Sequence, residues 1–316
     1  MIGNVISKID ILLKKHKKNL IINQMGMSNM DEKDWNALRV LYEEKNISRA
    51  SERLYISQPA LTYRLKNLEK EFGTNLFFKI KGGIEFTSEG THLVQYAEEM
   101  VKKLQKTKDF MLNMQNEVRG TLRLGVSSNF AQYKLPKILK KFSTKYPNVQ
   151  FNVNTGWSTD IMNLLNSSGV QLGILRGNYD WYGKKQLLHK ERLCLISTKE
   201  IDIENLPSIP FINYKTDSPL KTLISGWWHD RYSEPPYVTM ETDRQETCKE
   251  MVKNDLGIAI VPQICLQPSD NLHTYELFYK NGEPVVRNTW LMYNEDSLML
   301  STVKNFIDFL NEQPKI

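Results

Sequence analysis

The run Ser57-Gln58-Pro59-Ala60-Leu61-Thr62-Tyr63-Arg64-Leu65-Lys66 sorts hydrogen-bonding side chains to one face of a helix and apolar ones to the other. Gln bonds adenine bidentately, Thr and Pro offer apolar contact to a thymine methyl, and Thr and Tyr hydroxyls reach bases or phosphates. Ser57 suits the N-cap, and Pro59 is tolerated because first-turn N–H groups have no intrahelical partner. With Leu61, Leu65 and Leu68 turned inward, Gln58, Pro59, Thr62, Tyr63 and Lys66 stay outside. A helix of that kind enters the major groove and reads base edges. Arg49, Arg53, Arg64, Lys79 and Lys81 are candidate phosphate clamps around it, the plain alternative for each being a solvated surface cation.

The elements that must position this face follow from periodicity. Trp35, Leu38 and Leu41–Tyr42 mark one helix, Ala50 and Leu54 a second, and Leu61, Leu65, Leu68 and Phe72 a third. Small Ala50 lets the helices cross closely beside a tight connection near Tyr55-Ile56. From Leu76 to Phe86 the period changes, and Gly82-Gly83 supplies the positive φ angles of a hairpin. Thr87 is a plausible N-cap for a helix running to about Asn116, with Glu89 suiting its dipole. Leu93, Ala97, Met100, Leu104, Thr107, Met111 and Met114 follow steps of four and three, a coiled-coil stripe suited to a second copy of the chain. The plain alternative is packing within its own domain. Beyond Gly120 strands and helices alternate, which predicts a parallel sheet with crossover helices and a last amphipathic helix from Ser297 to Leu310.

The composition is that of a soluble globular protein. The 316 residues allow two or more compact units, with 41% hydrophobic and 25% charged residues. No apolar run approaches the roughly 20 residues of a membrane span. Three distant cysteines, Cys194, Cys248 and Cys265, argue against a disulfide framework and fit a reducing cytoplasm. The net charge of +6 is weak evidence for nucleic acid, because Lys8, Lys14, Lys15, Lys17 and Lys18 face only Asp10 in the first thirty residues. Residues 1–29 read as an extension, either a basic arm or an over-long start before a shorter natural one near Met30.

These residues carry a resemblance. The run from Trp35 to Gly90 resembles the DNA-binding domain of LysR-type transcriptional regulators, through Ala50, Leu54, Ser57 to Thr62, Leu65, Leu68-Glu69, Phe72-Gly73, Leu76-Phe77, Thr87 and Gly90. Looser likeness continues in Thr121 to Gly125, Leu172-Gly173-Ile174 and Gly257 to Pro262. The resemblance implies an α/β protein with an α-rich winged helix-turn-helix at 30–87 and a dimer-forming linker helix at 88–118. A two-lobed, periplasmic-binding-protein-like (type 2) effector domain would follow at 119–316, lobe I covering about 121–189 plus 292–316 and lobe II about 190–291. It implies double-stranded DNA as partner, a homodimer or homotetramer, RNA polymerase as a further partner, and a small-molecule effector without a cofactor or metal. The family's DNA-contacting positions fall on Ser57, Gln58, Pro59, Thr62, Tyr63 and Arg64, with a wing cation at Lys79. Tyr63 and Lys79 stand where the family often has Arg, and Ser51 where it often has Ala.

In two-lobed α/β domains ligands bind at strand C-terminal ends and the helix N-termini facing them. Three such edges are Ser127-Ser128-Asn129, Gly156-Trp157-Ser158-Thr159 and Thr242-Asp243, with Arg176 adding a charge. Small hydroxyls there suit an anion such as an organic or amino acid, although each residue alone is equally a cap or turn. An enzyme is disfavoured: there is no phosphate loop, HExxH, Gly-x-Ser-x-Gly or Cys/His cluster, and His189, His229 and His273 lack partner spacing. A stand-alone solute-binding protein would want an export signal and no recognition helix. A thiol-based redox sensor is the alternative within the regulator class, but Cys194 in Leu193-Cys194-Leu195-Ile196 reads as a small buried hydrophobe.

Overall fold

The computed structural model describes residues 30–113 and 117–313, and the chain divides into two compact units near Lys108. The expected extension at 1–29 and the stripe residue Met114 lie outside the described residues.

The first unit contains helices α1 (Glu32–Glu44), α2 (Ile47–Arg53) and α3 (Gln58–Phe72), the hairpin β1 (Phe77–Ile80) and β2 (Gly83–Phe86), and most of the long helix α4 (Ser88–Asn113). Its helix starts are chemically specified. Asp31 and Asp34 form a reciprocal capping box on α1 at 2.9 Å, Asn46 Oδ1 accepts the Arg49 amide at 3.1 Å, and Thr87 Oγ1 accepts the Gly90 amide at 2.9 Å. Leu38, Leu41, Ala50, Leu61 and Leu65 are fully buried and pack with Leu76 and Ile84. The hairpin is pinned to the end of α1, where the Ile84 amide donates to the Lys45 carbonyl at 2.9 Å. The two wing glycines divide the work: Gly82 takes the positive φ (96°), while Gly83 supplies space, since a Cβ there would collide with the Lys45 carbonyl oxygen.

The stripe on α4 starts as an internal packing face. Leu93 and Ala97, expected at a dimer interface, are buried with Val94 in this unit's own core. Met100 and Leu104 are half-buried, and Met111 is 60% exposed.

The second unit is an α/β body. Its first sheet places β3 (Gly120–Ser127) parallel to both β4 (Val149–Gly156) and β5 (Leu172–Arg176). Helices α5 (Ser128–Tyr133), α6 (Leu135–Lys145) and α7 (Ser158–Asn166) make the crossovers. Strand β6 (Lys184–Ser197) then leads to β7 (Phe211–Tyr214), α8 (Ser218–Arg231), β8 (Val238–Thr242), α9 (Gln245–Lys253), β9 (Ala259–Pro262) and β10 (His273–Glu276). The chain ends through β11 (Val286–Tyr293) and α10 (Ser301–Glu312). Two large hydrophobic cores result, one around Leu122, Leu124, Phe142 and Phe306, the other around Leu193, Ile212, Trp227 and Ile260, with a smaller third around Ile161, Leu165, Val170 and Leu175.

Four features depart from the sequence pattern. Periodicity marks only Leu193–Ser197 as a strand, yet β6 begins at Lys184; its charged first half is held by pairing with β11, and its last five residues by β9 and β10. The sheet is mixed, not parallel, because β11 runs antiparallel to both β5 and β6. The return to the first lobe also precedes residue 292: Thr289–Met292 pair with Arg176–Gly173, and Ile264 and Cys265 already pack in the first lobe's core. Finally, Ser297 does not begin the last helix, since Glu295–Met299 forms a 3₁₀ turn before α10.

Replacing Gly83 with Ala drives a methyl into a backbone carbonyl that cannot swing away, an overpacking cost of about 1–3 kcal/mol. Urea unfolding followed by helical circular dichroism should show the loss; an unchanged midpoint would mean the wing is not anchored to α1 as described.

Candidate DNA interface and effector cleft

The N-terminal half of α3 is an exposed polar surface on a buried apolar base. Leu61, Leu65 and Leu68 face the core, while Ser57, Gln58, Pro59, Tyr63 and Lys66 are exposed and Thr62 is half-buried. Ser57 Oγ caps the helix, accepting the Ala60 amide at 3.4 Å. Gln58 is held from outside its helix by the Ser48 hydroxyl, which donates to Gln58 Oε1 at 3.3 Å and leaves the amide nitrogen to act. Sequence pattern alone misses Ser48; the signal was a small hydroxyl near the start of the preceding helix. Ser51 keeps its buried hydroxyl satisfied by donating to the Ser48 carbonyl at 2.8 Å, so the change from a smaller residue is accommodated locally.

The cations sort into two groups. Arg64 is not a free clamp: its guanidinium donates to Asp34 Oδ1 at 2.6 Å and Asp31 Oδ1 at 3.2 Å, tying α3 to the capped start of α1. Arg53 pairs with Glu43 and Glu44. Arg49 bonds the Glu44 carbonyl at 2.9 Å but remains largely exposed. Lys66, and Lys79 and Lys81 on the hairpin, are exposed and have no carboxylate partner among the described residues.

In the second unit the expected effector residues gather around a cavity of about 150 Å³ between the two cores. Ser127, Ser128, Asn129, Trp157, Ser158, Arg176 and Asp243 line it, Thr242 lines an adjoining cavity, and Thr159 lines neither. Asn129 on α5 reaches across the cleft and donates to Gln245 Oε1 on α9 at 2.9 Å. Two expected ligand contacts are committed elsewhere. The buried Ser158 hydroxyl is bracketed by the Arg176 backbone, accepting its amide at 3.1 Å and donating to its carbonyl at 3.2 Å. Arg176 is buried in an ion pair with Glu191, whose second oxygen accepts the Ile264 amide at 3.1 Å. Thr159 is exposed on its helix, and the Thr242 hydroxyl closes a turn onto the Arg244 carbonyl at 3.0 Å.

The cleft also exposes residues that spacing does not flag. Arg287 lines it, paired through Nη2 with Asp217, the cap of α8, while its buried Nε has no partner. Burial would lower the Arg176 pKa, but the Glu191 carboxylate reverses the sign and holds it above its ordinary value. For Arg287 burial wins, with repulsion from Arg176 second, and its pKa is lowered despite Asp217. The Ser127 hydroxyl, at the end of β3, is likewise buried without a partner. The visible clue to Arg287 was a cation directly after the apolar pair Val285-Val286.

A helix-turn-helix with a wing, followed by an α/β domain with an inter-lobe cleft, is an architecture shared with known proteins. Residues 33–91 match the bacterial regulatory helix-turn-helix protein, lysR family, and residues 115–315 match the LysR substrate binding domain. The chain belongs to the LysR family of transcriptional regulators. Among LysR relatives, the HTH-type transcriptional regulator YraN of Bacillus subtilis (strain 168) is 56% identical over 91% of this chain and 99% of that protein. YkuM of the same strain is 35% identical over 90% of this chain and 97% of its own. The fold is similar to full-length CbnR in complex with its target DNA (TM-score 0.65, 16% identity, 89% of this chain and 99% of that one). It is also similar to full-length OxyR of Pseudomonas aeruginosa (TM-score 0.62, 17% identity, 90% and 99%). This LysR chain has no helix, among the described residues, long and apolar enough to cross a membrane.

The three cysteines are buried, and burial pushes each thiol up to about 12. Two outcomes follow. Arg64→Ala should lower stability without changing the salt dependence of DNA binding, because it removes an internal pair and no phosphate contact; a shallower salt slope would make it a clamp. Native protein at pH 7.5 should resist iodoacetamide over minutes and label fully in urea, since only thiolate is nucleophilic.

Proposed function

We propose that this regulator reads operator DNA sequence-specifically through α3 and that an anionic metabolite bound in the inter-lobe cleft sets how it does so. The observation that carries the first part is the face of α3: Gln58 pre-positioned by Ser48, flanked by exposed Pro59, Tyr63 and Lys66, with the wing lysines unpaired among the described residues. Gln58, Thr62 and Tyr63 contact bases, Ser57 and the α3 amide dipole approach phosphate, and Lys66, Lys79, Lys81 and Arg49 hold the backbone. The outer part of the α4 stripe, half-buried Met100 and Leu104 and exposed Met111, packs against a second copy, giving a dimer with two recognition helices, and a tetramer by further association. RNA polymerase is the partner for activation, and the cytoplasm the place.

Two features support an anion in the cleft. Ser127 and Arg287 line it, and their buried Oγ and Nε lack partners, so a lobe movement that uncovers them leaves both to a hydrogen-bond acceptor. The bound anion acts by favouring one closure of the lobes, which requires different affinity for the two states. No cofactor is called for. A thiol-based switch fits less well, because the buried cysteines are held protonated.

The test is binding to the intergenic DNA beside the gene across a salt series, with and without metabolite pools. Gln58→Ala should cost about 1–3 kcal/mol on the operator and relax base choice at one position. Lys79→Ala should weaken binding to every sequence and make the salt slope shallower by about 0.9, the value for one phosphate no longer neutralised. Equal loss on all sequences for both variants, or no preference over random DNA, would overturn the assignment.

A further inference from the structure

The inter-lobe cleft has room for a small anion or one polar head group, and a much larger cavity adjoins it. At about 150 Å³ the cleft holds the equivalent of about five waters, room for one polar head group. The adjoining cavity is about 920 Å³, within the range of drug-sized ligand sites. Trp157, Tyr214, Lys215, Thr216 and Asp243 line both, so the two spaces adjoin at these residues.

The larger cavity lies between α8, the β7–β8 pair and the 232–236 loop. Its base is a ring cluster: Trp228 packs 5.6 Å from Phe211 and 4.9 Å from Tyr232. The polar atoms of these rings are already used. Trp228 Nε1 donates to the Glu234 carbonyl at 2.8 Å, Tyr232 Oη to the Ile203 carbonyl at 2.6 Å, and Tyr214 Oη to the Ile260 carbonyl at 3.1 Å. What they offer the cavity is ring carbon, joined by Ile224, Pro235 and Val238. Charge is confined to exposed side chains such as Lys215 and Glu241. Water against such a floor gains few hydrogen bonds, and an apolar group that displaces it is favoured.

We propose that the effector is amphipathic: an anionic head occupies the cleft near Ser127 and Arg287, and an apolar body extends past Trp157 into the cavity against α8. This rests on the anion reading of the cleft given above. A ligand of this form touches elements of both lobes at once, so its apolar half contributes to closure as well as affinity.

The test is calorimetric titration of the full-length protein with acetate, butanoate, hexanoate and octanoate, and with 1-octanol. Affinity should rise about fourfold per methylene from butanoate to octanoate, the transfer value for a buried CH₂. Ser225→Trp on α8 and Val238→Trp on the opposite wall are exposed positions whose larger side chains fill the cavity. Each should cut octanoate affinity more than tenfold and collapse the chain-length series. A flat series in the unsubstituted protein, or one that survives both substitutions, overturns the apolar subsite while leaving the anion site in place. Octanol binding as tightly as octanoate, and lost in both variants, supports the apolar subsite and overturns the anion reading of the cleft instead.

Discussion

The effector domain is organised around four buried charges where the chain crosses between its lobes. Arg176 at the end of β5, Glu191 within β6, Arg287 within β11 and Asp217 at the start of α8 are all nearly solvent-free, and their formal charges cancel. Desolvating them is costly, and removing one leaves its partner buried and uncompensated, about 3–5 kcal/mol. That asymmetry specifies the crossing. Glu191 fixes Arg176 and the Ile264 amide together, so the segment leaving the second lobe is held against the first. Asp217 caps α8 while pairing with Arg287, so the start of a second-lobe helix is tied to a strand shared by both lobes. The pairs are not equivalent: at Arg176 the Glu191 carboxylate outweighs burial, whereas at Arg287 burial outweighs Asp217 and Nε is left without a partner.

In the DNA-binding unit the same accounting separates architecture from recognition. Arg53 and Arg64 are consumed in holding α1, α2 and α3 in register, through Glu43, Glu44, Asp31 and Asp34. What remains for phosphate is mostly lysine, a strongly hydrated point charge without Arg's bidentate geometry. On the proposed reading, sequence discrimination falls on Gln58 and its neighbours, and the Ser48 contact would reduce the side-chain entropy lost when Gln58 docks.

Elements with strong local signals were legible in the sequence. Leu61, Leu65 and Leu68 with the Ser57 cap locate α3. Elements made by long-range pairing were not. Lys184–Arg192 alternates too many charges to read as a strand, and only β11, a hundred residues on, makes it one. The site followed the same rule. Ser128, Asn129 and Trp157 stand at a strand end or helix start, and residues picked by that pattern line the cleft. Arg176 and Arg64 have the right type in the right region, but their carboxylates, Glu191 and the Asp31–Asp34 pair, come from segments that spacing does not connect to them. Leu93 and Ala97 illustrate a different ambiguity, because one four-residue step serves an internal core and a partner helix equally well.

The return of the chain through β11 and α10 has a consequence for synthesis. Phe306 and Phe309 of α10 pack edge-on against Phe142 of α6 with ring centroids 5.0 and 5.3 Å apart, closing the first lobe's core across more than 160 residues of sequence. That lobe is begun early and finished last. On the ribosome, Leu122, Leu124 and Phe142 emerge with one side of their core missing, and at about 5–20 residues per second they wait roughly ten to thirty seconds for the segment that covers it. The second lobe, with β6 through β10 continuous in sequence, has no such delay. The order in which the two cores can be completed is thereby inverted relative to the order in which their first strands are translated.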